Sequence, residues 1–348
     1  MIPPVDGSMV PARSITDVAN ASGVSIATVS RALRGLPNVS ERTRAIVRQA
    51  AEDLGYVASS SASGLASGRT MAMGVIVPSL DPWFCTRALE GVDDVLRPAD
   101  YDLVLFTLGH RRDERERLFR HTLLRRRIDA LIALCIDVSA SERELLTGMG
   151  HPIVCVGGRA PGLRHVDIDQ ADAARVATKH LIDLGHTRIA HLAGTIAPGL
   201  TEDAIGLRRR GYERALHDAH LAPLDQSTIP AALDMAGAHR IVVAILRRQD
   251  DRPTAVFADS DDLAAGAVLA ARTVGLRVPD ELSVIGFGDQ HLAEAFDLTT
   301  VAVDPYEQGA AAAHTLLHEV KTGTQRAKSI RMPVRLVERG STAHASPR

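Results

Sequence analysis

Three cysteines in 348 residues, Cys85, Cys135 and Cys155, are too few and too scattered for a disulfide framework, and with no C-x-x-C pair they indicate no zinc site. Each lies beside apolar residues, where a thiol packs as a small core side chain. Long apolar runs are missing as well. Nothing approaches the roughly 20 uninterrupted apolar residues of a membrane-spanning helix, and residues 1–13 hold no apolar stretch of signal-peptide length. The expectation is a chain with no membrane partner, at home in a reducing cytoplasm. Neither charge sign prevails: 40 Lys and Arg stand against 42 Asp and Glu, a net charge of −2, which excludes a polycation that grips a polyanion over its whole surface. The signatures of nucleotide and hydrolytic enzymes are absent too. No G-x-G-x-x-G follows the first apolar strand, and neither G-x-x-x-x-G-K-[ST] nor G-x-S-x-G occurs. No enzyme and no cofactor are therefore expected. Nor is a metal: Asp259, Asp261 and Asp262 suit a helix N-terminus, where negative charge is favourable, and His186 and His191 lack a third ligand at useful spacing.

What is present divides the chain. Its length is too great for one ordinary domain, and a 45% hydrophobic share can form a sizeable core. Residues 1–70 carry seven arginines against five acids, so any basic patch is local. Residues 1–13 read as a disordered tail. From 14 to 57 the apolar spacing is helical and the segments are short. Residues 58–70, rich in Ser, Ala and Gly, read as a linker or as a helix that forms only with help. Beyond 70, short apolar runs alternate with helical segments. Strands are expected at 73–77, 102–106, 130–134, 153–156, 188–192, 255–257 and 282–286. Helices are expected at 82–96, 113–126, 171–184, 207–219, 236–247 and 261–273. Two rounds of this alternation imply two lobes of doubly wound parallel sheet, with a ligand at the carboxyl ends of the strands. We place the lobes at 71–342, the first roughly 71–166 and 302–333, the second roughly 167–301 and 334–342, with a tail at 343–348.

The first segment has a spacing of its own. Ile15, Val18 and Ala19 share one helix face, Gly23 can end that helix sharply, and Ser25 can cap a second helix at 26–33, whose Val29 and Leu33 face inward. Small residue, glycine, capping serine and inward valine in this order are the spacing of a helix-turn-helix. Here the chain resembles the lactose/galactose repressor (LacI/GalR) family of bacterial regulators. The resemblance lies in Ile15-Thr-Asp-Val-Ala-Asn-Ala-Ser-Gly-Val-Ser-Ile-Ala-Thr-Val-Ser-Arg-Ala-Leu33, then Asn38-Val-Ser40 and Leu54-Gly-Tyr56, and it runs on to Gly340-Ser-Thr342. It implies an all-α helix-turn-helix headpiece joined to an α/β two-lobed domain like the periplasmic binding proteins. It also implies a regulator, most often a repressor, that binds a palindromic operator in double-stranded DNA as a homodimer and answers to a small-molecule effector. An activator or a ligand-independent regulator of the same family remains the alternative. A secreted solute-binding protein would share the lobes but not the headpiece.

In that docking the second helix enters the major groove, with Ile26, Ala27 and Arg31 at base edges. Arg31 can fork onto guanine, and Ile26 and Ala27 can meet thymine methyls. Ser14, Thr16, Ser25, Thr28, Ser30, Asn38 and Ser40 are expected as phosphate-facing donors, with Ile15 and Val39 beside them; as single residues the serines can equally be caps. The resemblance makes Leu65 a wedge for the minor groove at the palindrome's centre. For the effector, Trp83 and Phe84 can stack on a ligand or pack as an aromatic loop. Arg208 matches the family's ligand-binding arginine, though a surface arginine in the run 208–210 would read the same. Ser260, Asp261 and Asp289 stand where the family has polar anchors, but the aspartate that would grip sugar hydroxyls is Gly288. The effector is thus expected to be less hydroxyl-rich than a sugar, unless the pocket is vestigial.

Overall fold

The structure, a computed structural model, describes all residues except 1–13, 34–36, 57–68, 81–82, 109–111, 124–127, 159, 195–201, 225–227, 232–233, 249–251, 325–327 and 347–348. The chain divides into two compact units, one ending at Met71 and the other beginning at Ala72. Leu65 and the 58–68 part of the expected hinge lie outside the described residues.

The first unit is a three-helix headpiece: α1 (Ile15–Ser22), α2 (Ile26–Leu33) and α3 (Glu41–Asp53). Its core is small. Val18, Ala19, Val29, Ala32, Val47 and Ala51 are buried together, and Ile15, Leu33, Val39, Leu54 and Tyr56 pack around them. Alanine at three of these six positions lets the helix backbones cross closely.

The second unit holds two six-stranded sheets. The first, in the order β11-β5-β4-β3-β1-β2, is parallel throughout. It comprises β1 (Ala72–Val77), β2 (Asp102–Thr107), β3 (Ala130–Leu134), β4 (Ile153–Val156), β5 (Arg164–Ile168) and β11 (Ile330–Met332). The second has the order β12-β10-β9-β8-β6-β7. It comprises β6 (Ile189–Gly194), β7 (Thr228–Ala231), β8 (Ala255–Ala258), β9 (Ser283–Gly288), β10 (Thr299–Ala302) and β12 (Arg335–Val337), and only β12 runs antiparallel to its neighbour. Strands β1, β3 and β4 are buried along their whole length, as continuous apolar runs covered by helices on both faces should be.

Helices α4 (Trp83–Leu96), α5 (Arg112–Arg117) and α6 (Ala140–Gly148) accompany the first sheet. Helices α7 (Gln170–Asp183), α8 (Glu202–Asp218), α9 (Met235–Leu246), α10 (Asp261–Thr273) and α11 (His291–Ala295) accompany the second. The last helix, α12 (Pro305–Thr322), returns to the first sheet and packs along α4. The chain therefore crosses between the sheets three times: after β5, after β10 and between β11 and β12.

The charged helix expected at 113–126 becomes α5 followed by a π-helical turn, Leu118–Thr122, before the described residues pause. Helix α8 begins five residues before the expected start. Helix α12 was not expected at all, because its centre, Gly309-Ala-Ala-Ala-Ala313, gives little contrast between faces. Its small residues serve a close crossing instead. A Cβ on Gly309 would lie 2.0 Å from the Ala88 carbonyl oxygen of α4, and one on Gly91 would lie 2.0 Å from the Tyr306 oxygen of α12.

Buried polar groups tie the ends together. Arg164 of β5 pairs with Glu319 of α12, Nη2 donating to Oε2 at 2.7 Å, with Glu319 almost wholly sealed. His186 uses both ring nitrogens, against Thr254 Oγ1 (3.0 Å) on one side and Ser283 Oγ (3.0 Å) and the Ala343 oxygen (3.1 Å) on the other. Ser341 accepts from Thr299 N at 2.8 Å and donates to the Val284 oxygen at 2.6 Å, which stitches the 340–342 motif onto the second sheet.

Two outcomes follow from this packing. Gly309→Ala overpacks the α4–α12 crossing and should lower stability by about 1–3 kcal/mol, read as a lower urea midpoint. Burial holds His186 below the usual histidine pKa. Its contribution is therefore fully present above the unfolded value near 6.5 and is lost as pH falls below that. Between pH 7.5 and 5.5 the melting temperature of His186→Gln should fall less than that of the parent.

Candidate functional site

In the headpiece, three capped helices leave the outer face of α2 uncovered. Ser14 opens α1 with a capping box: its hydroxyl accepts from the Asp17 amide, and its own amide donates to Asp17 Oδ2 at 2.8 Å. Gly23, in the left-handed region at φ +69°, returns its amide to the Ala19 oxygen and ends the helix. Ser25 Oγ then accepts from the Thr28 amide at 3.2 Å and opens α2. Ser40 does the same for α3, accepting from Thr43 N at 3.1 Å. Helix α2 buries Val29 and Ala32, so the opposite face carries Ile26, Ala27 and Arg31 into solvent. Ile26 leaves 48% of its surface exposed, a large apolar side chain that no core element covers. Arg31 is exposed and has no ion pair among the described residues. Thr28 and Ser30 lie half-buried at the edges of this face, and Thr16 is exposed on α1. Asn38 takes a positive φ of 70° just before Ser40, with Val39 half-buried against the core. Of the four serines expected as phosphate donors, Ser14, Ser25 and Ser40 are helix caps, each marking a helix N-terminus, the positive end of a helix dipole, while Ser30 lies within α2.

In the second unit the residues expected at an effector separate into two groups. Trp83 and Phe84 form the first turn of α4, beyond the carboxyl end of β1, and both keep some exposure. The Phe84 ring packs over Gly157 after β4, where a Cβ would come within 2.9 Å of it. Beside it Cys135, after β3, shares a thiol hydrogen bond with Cys85, and that bond together with burial raises the Cys135 pKa. Cysteines distant in sequence are thus neighbours here, and all three are buried.

Arg208 belongs to the other group and is buried, not a surface arginine: only 7% of it is exposed. Its Nε donates to Gln170 Oε1 at 2.8 Å, its Nη1 to the Asp259 carbonyl at 2.6 Å, and its guanidinium lies 3.8 Å above the Phe287 ring centroid. Burial lowers its pKa from the usual value, and the Asp259 charge works the other way. The Asp259 carboxylate itself turns to His191 Nε2 (2.9 Å) and the Gly194 amide (3.2 Å). His191 stacks on Phe257 with ring centroids 5.0 Å apart.

Ser260 caps α10 by accepting from Leu263 N. Asp261, expected as a ligand anchor, is instead sealed: its oxygens accept from Thr300 Oγ1 (2.7 Å) and the Gln290 amide (2.8 Å), and burial raises its pKa. Asp289 pairs with Arg339 at 2.7 Å. Gln170, His191 and Phe287 carried no sequence signal for this cluster, since each reaches it only through tertiary packing. No group of three or more metal-ligating side chains exists among the described residues, and no helix among them is long and apolar enough to cross a membrane.

A helix-turn-helix with an uncovered outer helix face, carried on a chain whose second unit is a two-lobed α/β binding domain, defines a DNA-binding transcriptional regulator. Comparison with known proteins makes the class specific. Residues 14–59 match the model for bacterial regulatory proteins of the lacI family, and residues 178–342 match that for a periplasmic binding protein-like domain. Catabolite control protein A of Priestia megaterium is 31% identical over 94% of this chain and 99% of its own. The HTH-type transcriptional repressor PurR of Edwardsiella ictaluri is 30% identical over 95% and 97%. The solved transcriptional regulator CelR–cellobiose complex superposes with a TM-score of 0.69 at 28% identity, covering 94% of this chain and 99% of that one. The chain belongs to the lacI family of bacterial regulatory proteins.

Asp259→Ala should strand the His191 Nε2 and the Gly194 amide in the core. The expected loss is at least about 1–3 kcal/mol, the cost of one buried unsatisfied group, measured as the shift in chemical-denaturation midpoint.

Proposed function

We propose that this regulator is a repressor that binds a palindromic operator as a two-fold dimer and changes its grip when a small molecule binds the two-lobed domain. The observation that carries the reading is the outer face of α2, where Ile26, Ala27 and Arg31 stand exposed on a helix whose other side is core. Arg31 would read a guanine through its fork, and Ile26 and Ala27 would read thymine methyls. The three serine-capped helix starts at Ser14, Ser25 and Ser40 would receive phosphates, with Thr16, Thr28, Ser30 and Asn38 near them, while Ile15 and Val39 hold the turn in shape. One eight-residue reading helix covers only a half-site, which supports a two-fold dimer on a palindrome. Leu65 would be the central minor-groove wedge. PurR, at 30% identity, is named a repressor, and CelR was solved with cellobiose, which supports both the repressor role and an effector. Action on DNA puts the protein in the cytoplasm, with no catalytic role. For the effector, Arg208 is the residue best placed, with Trp83 and Phe84 at the other sheet's strand ends.

The test is selection of bound fragments from genomic DNA by the full-length protein, followed by footprinting. One short palindrome should be enriched and protected. Arg31→Ala should lose about 1–3 kcal/mol of operator affinity and relax one base position in each half-site. Unchanged base selectivity in that variant would remove Arg31 from the reading role, and no enriched palindrome, with or without added cell metabolites, would refute the repressor reading.

A further inference from the structure

Arg208 is the one buried arginine among the described residues, and it forms no ion pair there. Three other enclosed arginines differ in having an acid partner, although Arg188, with a sealed and unpartnered Nε, has none among the described residues. Arg164 has Glu319, Arg115 has Glu142 and Arg339 has Asp289. Arg208 has a glutamine oxygen, a backbone carbonyl and an aromatic face. A guanidinium offers five N–H donors, and these contacts occupy Nε and one end of Nη1. Nη2 has no partner among the described residues and is not among the sealed unpaired atoms, so the surface Arg208 keeps includes that end of the fork. The nearby Asp259 charge offsets part of the cost of burying this cation, but no carboxylate oxygen among the described residues bonds its fork.

The carboxylates nearby point the same way. A neutral polyol needs acceptors for its hydroxyl hydrogens, and acidic side chains are the usual ones. Here Asp259 is 1% exposed and held by His191 and Gly194, and Asp261 is fully sealed by Thr300 and Gln290. Asp262 is engaged by the Gln290 side chain, and Asp289 by Arg339. Nor can residue 288 supply a replacement. Gly288 has φ +132°, and a Cβ there would sit 3.1 Å from Asp261 Oδ2 and 3.2 Å from Gln290 Cγ. Among the described residues the cluster thus offers free donors on a cation, while the carboxylates named are committed.

We propose that the effector is a small organic anion, a carboxylate or a phosphate monoester, seated on the free end of the Arg208 fork, and not a neutral sugar. This rests on the effector reading above. An anion supplies both the charge and the acceptor oxygens that Arg208 lacks, while asking for no acceptor in return.

The experiment is calorimetry and thermal unfolding of the full chain with matched probes: benzoate, phenyl phosphate, benzyl alcohol, glucose and cellobiose, each against sodium chloride of equal ionic strength. At least one anion should bind saturably, at least tenfold tighter than benzyl alcohol. Benzoate alone would mark a carboxylate effector, and phenyl phosphate alone a phosphate monoester. Arg208→Met should abolish this response. Arg208→Lys, which keeps the charge but not the fork, should weaken it about tenfold and carries the test should the methionine variant not fold. Saturable binding of glucose or cellobiose, anions no tighter than benzyl alcohol, or a response unchanged in both variants would each overturn the proposal. Operator selection is scored separately: a palindrome bound by a chain blind to anions sinks this inference alone, while an anion response without any palindrome sinks the regulator reading alone.

Discussion

The chain passes between its two six-stranded sheets three times, and these crossings constrain what the second unit can do. The sheets share no strand, yet neither can be removed without cutting the chain in three places. Each crossing is anchored close by. Arg164 and Glu319 bind β5 to the returning helix α12, and the glycine-lined contact of α12 with α4 locks that helix to the first sheet. On the other sheet, His186 and Ser341 fasten the chain's last residues. A ligand at the strand ends can therefore act mainly by favouring one arrangement of the two sheets over another, as far as its affinities for them differ.

Beside these matched ion pairs, the Arg208 cluster leaves a cation's fork partly open. The asymmetry is chemical. Asp259, Asp261 and Asp289 are satisfied within the chain, whereas the cation keeps part of its fork. Asp261 illustrates the trade. The residue type suits a ligand anchor, but here its carboxylate braces β10 and the Gln290 loop, and the space a longer side chain at 288 would need is already filled.

The architecture was legible where patterns were strong. Strands β3 and β4 and helix α10 have the bounds that their apolar runs and the acidic helix start near Asp261 suggest, and the headpiece follows from the spacing of Ala19, Gly23, Ser25 and Val29. Elements made of small or mixed residues were not legible. Helix α12 has an alanine-rich centre whose burial depends on a partner helix, and the short strands β5, β11 and β12 exist only through pairing. Of the candidate site, sequence pointed to Ile26, Ala27, Arg31 and Arg208 by position. It could not show that Arg208 is buried, that Asp261 turns inward, or that Cys85 and Cys135 meet, because each depends on contacts between residues far apart in the chain.

If Arg208 seats the effector and the outer face of α2 meets DNA, the two sites are expected to be coupled. The direct measurement is the affinity of the full-length protein for its selected operator duplex, at fixed ionic strength, with and without a saturating anion that Arg208 binds. Coupling is reciprocal, so the account predicts that the anion changes the operator Kd, in either direction, and that Arg208→Met abolishes the change. An operator Kd that is the same with and without the bound anion would contradict it.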